Sequence, residues 1–571
     1  MTASNFRAKV VKRKLHLADA NGSGKNHEEN APESQTQTSG KLECDISITE
    51  GVLMIIVWSF SIAYISYCLY LDSDTIINAS FDNFLPGLTV TGRLKDFSDT
   101  EWEFWRDFWT ERVWMFMGGH VLVNVIFRWS SPKIKLAVNF SYTAFALCII
   151  VNWKILIFLV SYATFGYLVT LTGSSTAIWC SSLLTVSAVT LGMFNEWARS
   201  ISHDGVYPRK LALLMFATSM ITLRYVSFGL DWVEAKKASL KGSTESENNK
   251  YGKQKNTDKD VQGQSITYNY VYYLHYCFYL PLFFTGPMFN YNQFHTEFWN
   301  ARKQWTRKSM KTFVIYGLRL AFAFVLCELI LHYFYFNALT RSLETLESLS
   351  LWTLGGFYYY LGQFFMVKYV VFYGLPRLVA MTDQVDTPRT PSCIGRISTA
   401  LPMWRNFDRG LYEFMKKYIY IPVGGGQHGL LRKVLGSALC FAFIFIWHGL
   451  SLVIFLCVLV NFIDLILEAL AHPISKLRGV RSIQNLSQGN QRRLKCLLRA
   501  PLKIFTVIAA TIFFAENERV AIIFFKRFAI DAFLLCVFFF YCLGLTDHFI
   551  TSIERRRQQR NEDHTRFPLK Y

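Results

Sequence analysis

Residues 51–71 read GVLMIIVWSFSIAYISYCLYL, 21 positions without a charged side chain. At about 1.5 Å of rise per residue, such a helix matches a bilayer hydrocarbon core of about 30 Å, so the stretch is expected to cross a membrane. Uncharged stretches recur at 113–127, 136–153, 155–195, 266–296, 350–367, 434–463 and 532–546. The 41 residues of 155–195 suffice for two crossings, with a turn at Thr172-Gly173-Ser174-Ser175. Three more segments hold a few ionisable groups in apolar surroundings: 211–230 with Arg224, 312–337 with Arg319 and Glu328, and 504–525 with Glu516, Glu518 and Arg519. The pattern predicts an all-α, polytopic transmembrane helical bundle of ten to twelve membrane segments, re-entrant ones included.

Composition agrees with that reading. Of 571 residues, 18% are charged, 52% hydrophobic and 16% aromatic, whereas soluble domains carry about 25% charge. Intrinsic disorder and collagen-like or coiled-coil structure are excluded for most of the chain. Lys and Arg number 60 against 41 Asp and Glu, a net +19. These basic residues are scattered between apolar runs, which makes the surplus a signature of topology and argues against a nucleic-acid partner. The twelve cysteines form no CxxC pair or zinc spacing, and most of those inside apolar runs read as small buried hydrophobes.

Residues 1–45 are polar and are expected to be a disordered cytosolic tail, followed by a membrane domain over 46–550 and a basic cytosolic tail over 551–571. Within the domain, 236–264 is rich in Lys, Asn, Ser and Gly and is expected to be a flexible cytosolic insert. The loop 72–111 is acid-rich, and the positive-inside rule then puts it in the lumen with both termini in the cytosol, which requires an even number of crossings.

The chemistry concentrates between two apolar runs, in Trp404-Arg405-Asn406-Phe407-Asp408-Arg409-Gly410 and Ile421-Pro422-Val423-Gly424-Gly425-Gly426. Phe407, Leu411, Phe414, Met415, Tyr418 and Ile419 fall at helical spacing, predicting one amphipathic helix that ends at Pro422 and the glycines. Asp408 stands near its start, where a carboxylate is also favoured simply by the helix dipole. Farther on, Phe445-Ile446-Trp447-His448-Gly449 places one histidine in thirty otherwise uncharged residues. An ionisable group at membrane depth is costly and by default marks a functional site, and an imidazole is suited to proton transfer near neutrality. Arg224, Arg319, Glu328, Lys368 and Asp464 lack such a neighbourhood and read as structural pairs or as snorkelling side chains.

The run from Trp404 to Leu431, followed by Trp447-His448-Gly449, is similar to the membrane-bound O-acyltransferase family. Lys95-Asp96-Phe97 onward to Phe108, the segment 279–290 with Gly286-Pro287, Trp352-Thr353-Leu354-Gly355-Gly356, Val367-Lys368-Tyr369 and Asn517-Glu518 extend the likeness over about residues 85–550. Within the family the resemblance implies a protein-cysteine N-palmitoyltransferase of the endoplasmic reticulum or Golgi membrane. Palmitoyl-CoA would be the donor. The acceptor would be the N-terminal cysteine amine of a secreted signalling protein, hedgehog-like or EGF-like. It implies His448 and Asp408 as the catalytic pair, with His448 the general base and Asp408 orienting the amine, orienting the imidazole or stabilising positive charge. Trp404, Arg405 and Trp447 would line the substrate passage, although interfacial anchoring explains Trp404 and Arg405 equally well. It further implies a haem b with Cys393 as axial ligand, which no attachment motif supports independently. Two alternatives stand beside it: a serine or lipid O-acyltransferase of the same family, and a non-catalytic membrane transporter or scaffold.

Overall fold

The computed structural model describes residues 47–193, 207–248, 266–299, 305–396, 400–425, 429–474 and 486–566; the tail 1–45 and positions 249–264 of the insert lie outside them. From the first described residues the chain forms helix α1 (Ile48–Leu71), a hairpin of β1 (Phe84–Pro86) and β2 (Leu94–Asp96), then α2 (Thr100–Phe108) and α3 (Trp114–Ile126). Next come α4 (Pro132–Val151), α5 (Trp153–Leu171), α6 (Ser175–Thr190), α7 (Tyr207–Asn248), and the short α8 (Tyr270–Cys277) and α9 (Tyr291–Trp299). Then follow α10 (Arg307–Tyr333), α11 (Leu351–Thr382), α12 (Ala400–Phe407), α13 (Arg409–Met415), α14 (Gly429–His448) and α15 (Leu452–Ile474). The described chain ends with α16 (Gln488–Ala515), α17 (Glu518–Phe524) and α18 (Phe533–Arg566). Among the described residues ten helices are long and apolar enough to cross a membrane: α1, α4, α5, α7, α10, α11, α14, α15, α16 and α18. With the shorter apolar helices α3 and α6, they account for the ten to twelve segments expected. α7 is central, with 72% of its most apolar window buried, whereas α1, at 11%, faces outward.

Local chemistry sets the helix ends. The side chains of Ser131, Ser174, Thr306 and Ser350 each accept from a backbone N–H in the first turn of α4, α6, α10 and α11. Gly173, at φ +71°, turns α5 into α6 at the predicted place. In two places the structure departs from the expected segments. The run 434–463 is two helices, because Gly449 takes φ +118° and Ser451 receives the Ile454 N–H; His448 therefore closes α14 instead of sitting inside one long span. The amphipathic helix expected to start near Asp408 and end at Pro422 is present as α13 and the wide helical turn over 416–420 that continues it, preceded by the separate short helix α12. Part of the expected flexible insert is helical, since α7 runs on to Asn248.

A third departure has the clearest physical cause. Residues 266–296 carry no charge, yet they form α8, a single turn at Leu280–Leu282, an irregular stretch through Gly286-Pro287, and α9. Irregular backbone at membrane depth is tolerated only where protein satisfies its polar groups. Here the buried Arg224 of α7 does so: its guanidinium donates to the Cys277 carbonyl at 2.7 Å and also to the Leu282 carbonyl. Tyr276 donates to the Phe289 carbonyl at 2.5 Å, and the Tyr291 N–H reaches Ser227 Oγ at 2.9 Å.

The acidic loop is likewise part of the core. Trp102, Trp105 and Phe108 are buried, and the carboxylates meet buried cations: Lys368 Nζ lies 2.8 Å from Asp99 Oδ2 and 2.9 Å from Glu101 Oε2, while Lys95 Nζ lies 2.9 Å from Glu103 and 2.9 Å from Glu328. Arg224, Glu328, Lys368 and Asp464 thus have structural partners, the last through Thr506 Oγ1 at 2.7 Å, whereas Arg319 is exposed on α10. Replacing Arg224 by Met leaves two buried carbonyls without their donor and is expected to cost about 3 kcal/mol. Thermal unfolding in detergent should show this as a clearly lowered midpoint, with Arg319→Met unchanged; equal midpoints for the two variants would contradict the assigned role.

Candidate active site

Past the end of α11, the Arg377 guanidinium reaches Asp386 Oδ1 at 2.7 Å and the Pro388 carbonyl at 3.1 Å, folding the chain back along the helix. The Ser392 N–H then bonds the Asn406 carbonyl at 3.1 Å, and Arg409 donates to Asn406 Oδ1 at 3.0 Å and Ser392 Oγ at 3.3 Å. These contacts pin the junction of α12 and α13. The opposite end of α12 is held by α15, where Glu468 accepts from the N–H groups of Ala400 and Leu401 at 2.9 and 3.3 Å, a carboxylate at a helix N-terminus.

Asp408 is the N-cap of α13. One carboxylate oxygen accepts from the Leu411 N–H at 2.9 Å and the other from the Tyr373 hydroxyl at 2.9 Å. Burial pushes its carboxyl above the ordinary aspartate value, while the backbone N–H groups and the phenol pull in the opposite direction. Just beyond it, Gly410 packs so tightly that a Cβ would strike the Met288 carbonyl of the irregular segment before α9. Leu411 and Phe414 are buried, and Phe414 meets Trp179 and Phe443 at 6.4 and 5.8 Å between ring centres. At the following wide turn the Tyr418 hydroxyl reaches Asp231 at 2.9 Å, and Lys417 Nζ lies 2.6 Å from the same carboxylate.

His448, the last residue of α14, stands edge-on to Trp447 at 4.8 Å and to Phe513 of α16 at 5.3 Å. Its imidazole makes no hydrogen bond to any described residue. The His448 side chain is exposed at the end of α14, whereas Asp408 is half-buried at the start of α13. An aromatic wall connects them. Phe513 meets Phe365 of α11 at 5.7 Å, and Phe365 stacks on Phe407 at 5.6 Å and on Tyr369 at 4.6 Å. Tyr369 in turn meets Tyr373 at 5.3 Å, the residue bonded to Asp408. No hydrogen bond joins Asp408 to His448, so the carboxylate does not orient the imidazole directly in this conformation.

Trp404 and Trp447 each bury an indole N–H without a partner among the described residues, and Trp404 packs against Phe441 of α14 at 6.3 Å. Arg405 is exposed. Cys393 stands apart as a free, exposed thiol whose polar neighbour is Gln363 Oε1 at 4.0 Å. No cluster of three His, Cys, Asp or Glu side chains able to hold a metal occurs among the described residues. An exposed thiol beside an amide does not make the apolar slot that a haem needs, so no step below passes through haem. Sequence reading missed the ring wall of Phe365, Tyr369 and Phe513 and the phenol of Tyr373; for Phe365, Tyr369 and Tyr373 the signal is their i, i+4 spacing along α11, whereas Phe513 comes from α16.

A model of the membrane-bound O-acyltransferase family matches residues 134–499. The chain is 30% identical to protein-cysteine N-palmitoyltransferase HHAT of Mus musculus, over 72% of this chain and 78% of that one. It is 28% identical to protein-cysteine N-palmitoyltransferase Rasp of Drosophila melanogaster, over 83% and 88% of the two chains. Similarity also extends to membrane-bound O-acyltransferase GUP1 of Saccharomyces cerevisiae, 25% identical over 66% of this chain and 68% of that one.

The contact at Gly410 yields a test of the local packing. Because backbone faces the missing Cβ, Gly410→Ala is expected to destabilise by about 3 kcal/mol. Gly118→Ala, whose Cβ meets open space on α3, should be neutral or slightly stabilising. Comparison of their thermal midpoints checks this, and a neutral Gly410→Ala would show that the loop and the 280–290 segment are not in firm contact.

Proposed function

The chain belongs to the membrane-bound O-acyltransferase family, and on that premise we propose that it transfers palmitate from palmitoyl-CoA to the N-terminal cysteine amine of a hedgehog-type secreted protein. The observation that carries this reading is His448: an accessible imidazole with no hydrogen-bond partner among the described residues, joined by packed rings to a capped carboxylate.

An N-terminal amine has a pKa of about 7.7–8.0, so near neutrality much of it is protonated and unreactive. Asp408 retains free lone pairs beside those used by Leu411 and Tyr373, and it attracts the incoming ammonium and orients it. The ammonium releases one proton to water, and His448 takes a second from the nitrogen as the free amine attacks the thioester carbonyl. A C–N bond forms and the C–S bond breaks. The proton then passes from the imidazolium to the departing CoA thiolate, which restores the base. The aromatic side chains of Trp404, Trp447, Phe365 and Phe513 keep water from the thioester, and Arg405 lies at the exposed side of α12, where it meets the CoA moiety. The charge surplus of the polar segments supports cytosolic termini in an endoplasmic-reticulum membrane, with donor and acceptor arriving from opposite faces.

Similarity to GUP1 supports a second reading, acylation of a hydroxyl by the same histidine. Purified protein with labelled palmitoyl-CoA and peptides beginning with Cys, with Ser or with an acetylated Cys separates the two. Amide formation is expected on the free N-terminal Cys alone, stable to hydroxylamine. His448→Ala should lower the rate about 100- to 10,000-fold. Equal labelling of all three peptides would contradict the amide assignment, full activity in His448→Ala would remove the base, and no transfer by the intact protein would favour a transporter or scaffold.

A further inference from the structure

Asp408 has two oxygens and two unlike partners. The Leu411 N–H is the ordinary cap of a helix N-terminus and fixes one oxygen. Such a cap leaves the carboxylate free to swing about its last torsion, because the terminal sp³–sp² torsion of an aspartate is broad. The second oxygen is held by Tyr373, which comes from a helix 35 residues earlier in the chain. That phenol is itself rigidly placed. Its ring meets Tyr369 one turn before it on α11, Tyr369 packs on Phe365 and Phe407, and the Tyr369 hydroxyl donates to Glu101 at 2.9 Å. Glu101 is in turn tied to the buried Lys368, which also holds Asp99. Two phenols on one face of α11, at i and i+4, thus grip carboxylates from two separate segments, the acidic stretch at the start of α2 and the cap of α13.

We infer that Tyr373 is the positioning residue for Asp408, holding its carboxylate in one rotamer with the remaining lone pairs left for the acceptor amine. The inference rests on the reading of Asp408 as the assisting carboxylate. Tyr373 reaches substrate only through Asp408. It has a second consequence: a phenol that donates to the carboxylate favours its ionised form, so its loss makes Asp408 easier to protonate.

The test is Tyr373→Phe in the full-length protein, assayed with labelled palmitoyl-CoA and the N-terminal Cys peptide. A misplaced carboxylate is expected to lower kcat about tenfold to a hundredfold, with KM for palmitoyl-CoA within about twofold of the intact protein. The acidic limb of the pH–rate profile should move to higher pH, because the folded-state pKa of Asp408 rises when the donor is removed. In an Asp408→Asn background the same substitution should cost nothing further. Tyr369→Phe removes a phenol from the same buried surface without touching Asp408, so it measures the packing contribution and should leave the acidic limb in place. An unchanged limb in Tyr373→Phe, or a loss of equal size with and without Asp408, would overturn the inference. Full activity in Asp408→Asn would instead overturn the reading of the site; an inactive Asp408→Asn beside a fully active Tyr373→Phe would remove Tyr373 alone.

Discussion

Everything in this molecule turns on how broken backbone is satisfied at membrane depth. Hydrocarbon offers no hydrogen bonds, so each interruption of a helix must find its partners within the protein. The chain interrupts its helices at 277–291, at Asp408 and at Gly449, and these interruptions are where the chemistry collects. Arg224 feeds the carbonyls of the first, Asp408 caps the second while Glu468 receives the start of α12, and Ser451 opens the helix after the third. In each case a polar side chain satisfies the irregular backbone, and Arg224 does so from within an otherwise apolar run. One of these side chains, Asp408, is also the proposed reactive carboxylate.

Charge pairing supplies the second layer of order. The buried lysines Lys95 and Lys368 would be costly alone, and each is met by two carboxylates, with the indole of Trp102 also donating to Glu328 at 2.9 Å. Removing one partner of such a group leaves an uncompensated charge, so the acidic stretch before α3 is bound to α10 and α11 through electrostatics as well as through its tryptophans. α11 then joins that stretch to the Asp408 junction through Tyr369 and Tyr373. A helix that would otherwise serve only as a span becomes the frame on which the site is mounted.

Much of this was legible in the residues. The crossings show because a run of about eighteen or more uncharged, apolar residues is long enough to span hydrocarbon and too apolar to face water, and the α5–α6 turn shows because Thr-Gly-Ser-Ser is poorly suited to continue a helix. His448 stood out as an ionisable group against apolar neighbours, whereas Asp408, in a polar stretch beside Asn406 and Arg409, gained its meaning from the family resemblance. Hydropathy misread 266–296, because it sees the apolar side chains and not the guanidinium from α7 that permits the backbone to leave the helix. It also merged α14 with α15, since one glycine in thirty apolar residues carries little weight until its positive φ is known. Tyr373 was invisible for a different reason: one phenol among 29 tyrosines gains meaning only from the carboxylate opposite it.

The central claim is that Asp408 and His448 face one passage in which the acyl thioester sits against the ring wall of Phe365 and Phe513. Cryo-electron microscopy of the protein with a non-hydrolysable palmitoyl-CoA analogue tests it most directly. The account predicts density for the thioester-equivalent carbonyl in contact with the His448 imidazole, with the acyl chain running inside the bundle and Asp408 open to the same space. An acyl chain bound on the outer, lipid-facing surface, or a carbonyl separated from His448 by the Phe365–Phe513 wall, would contradict it.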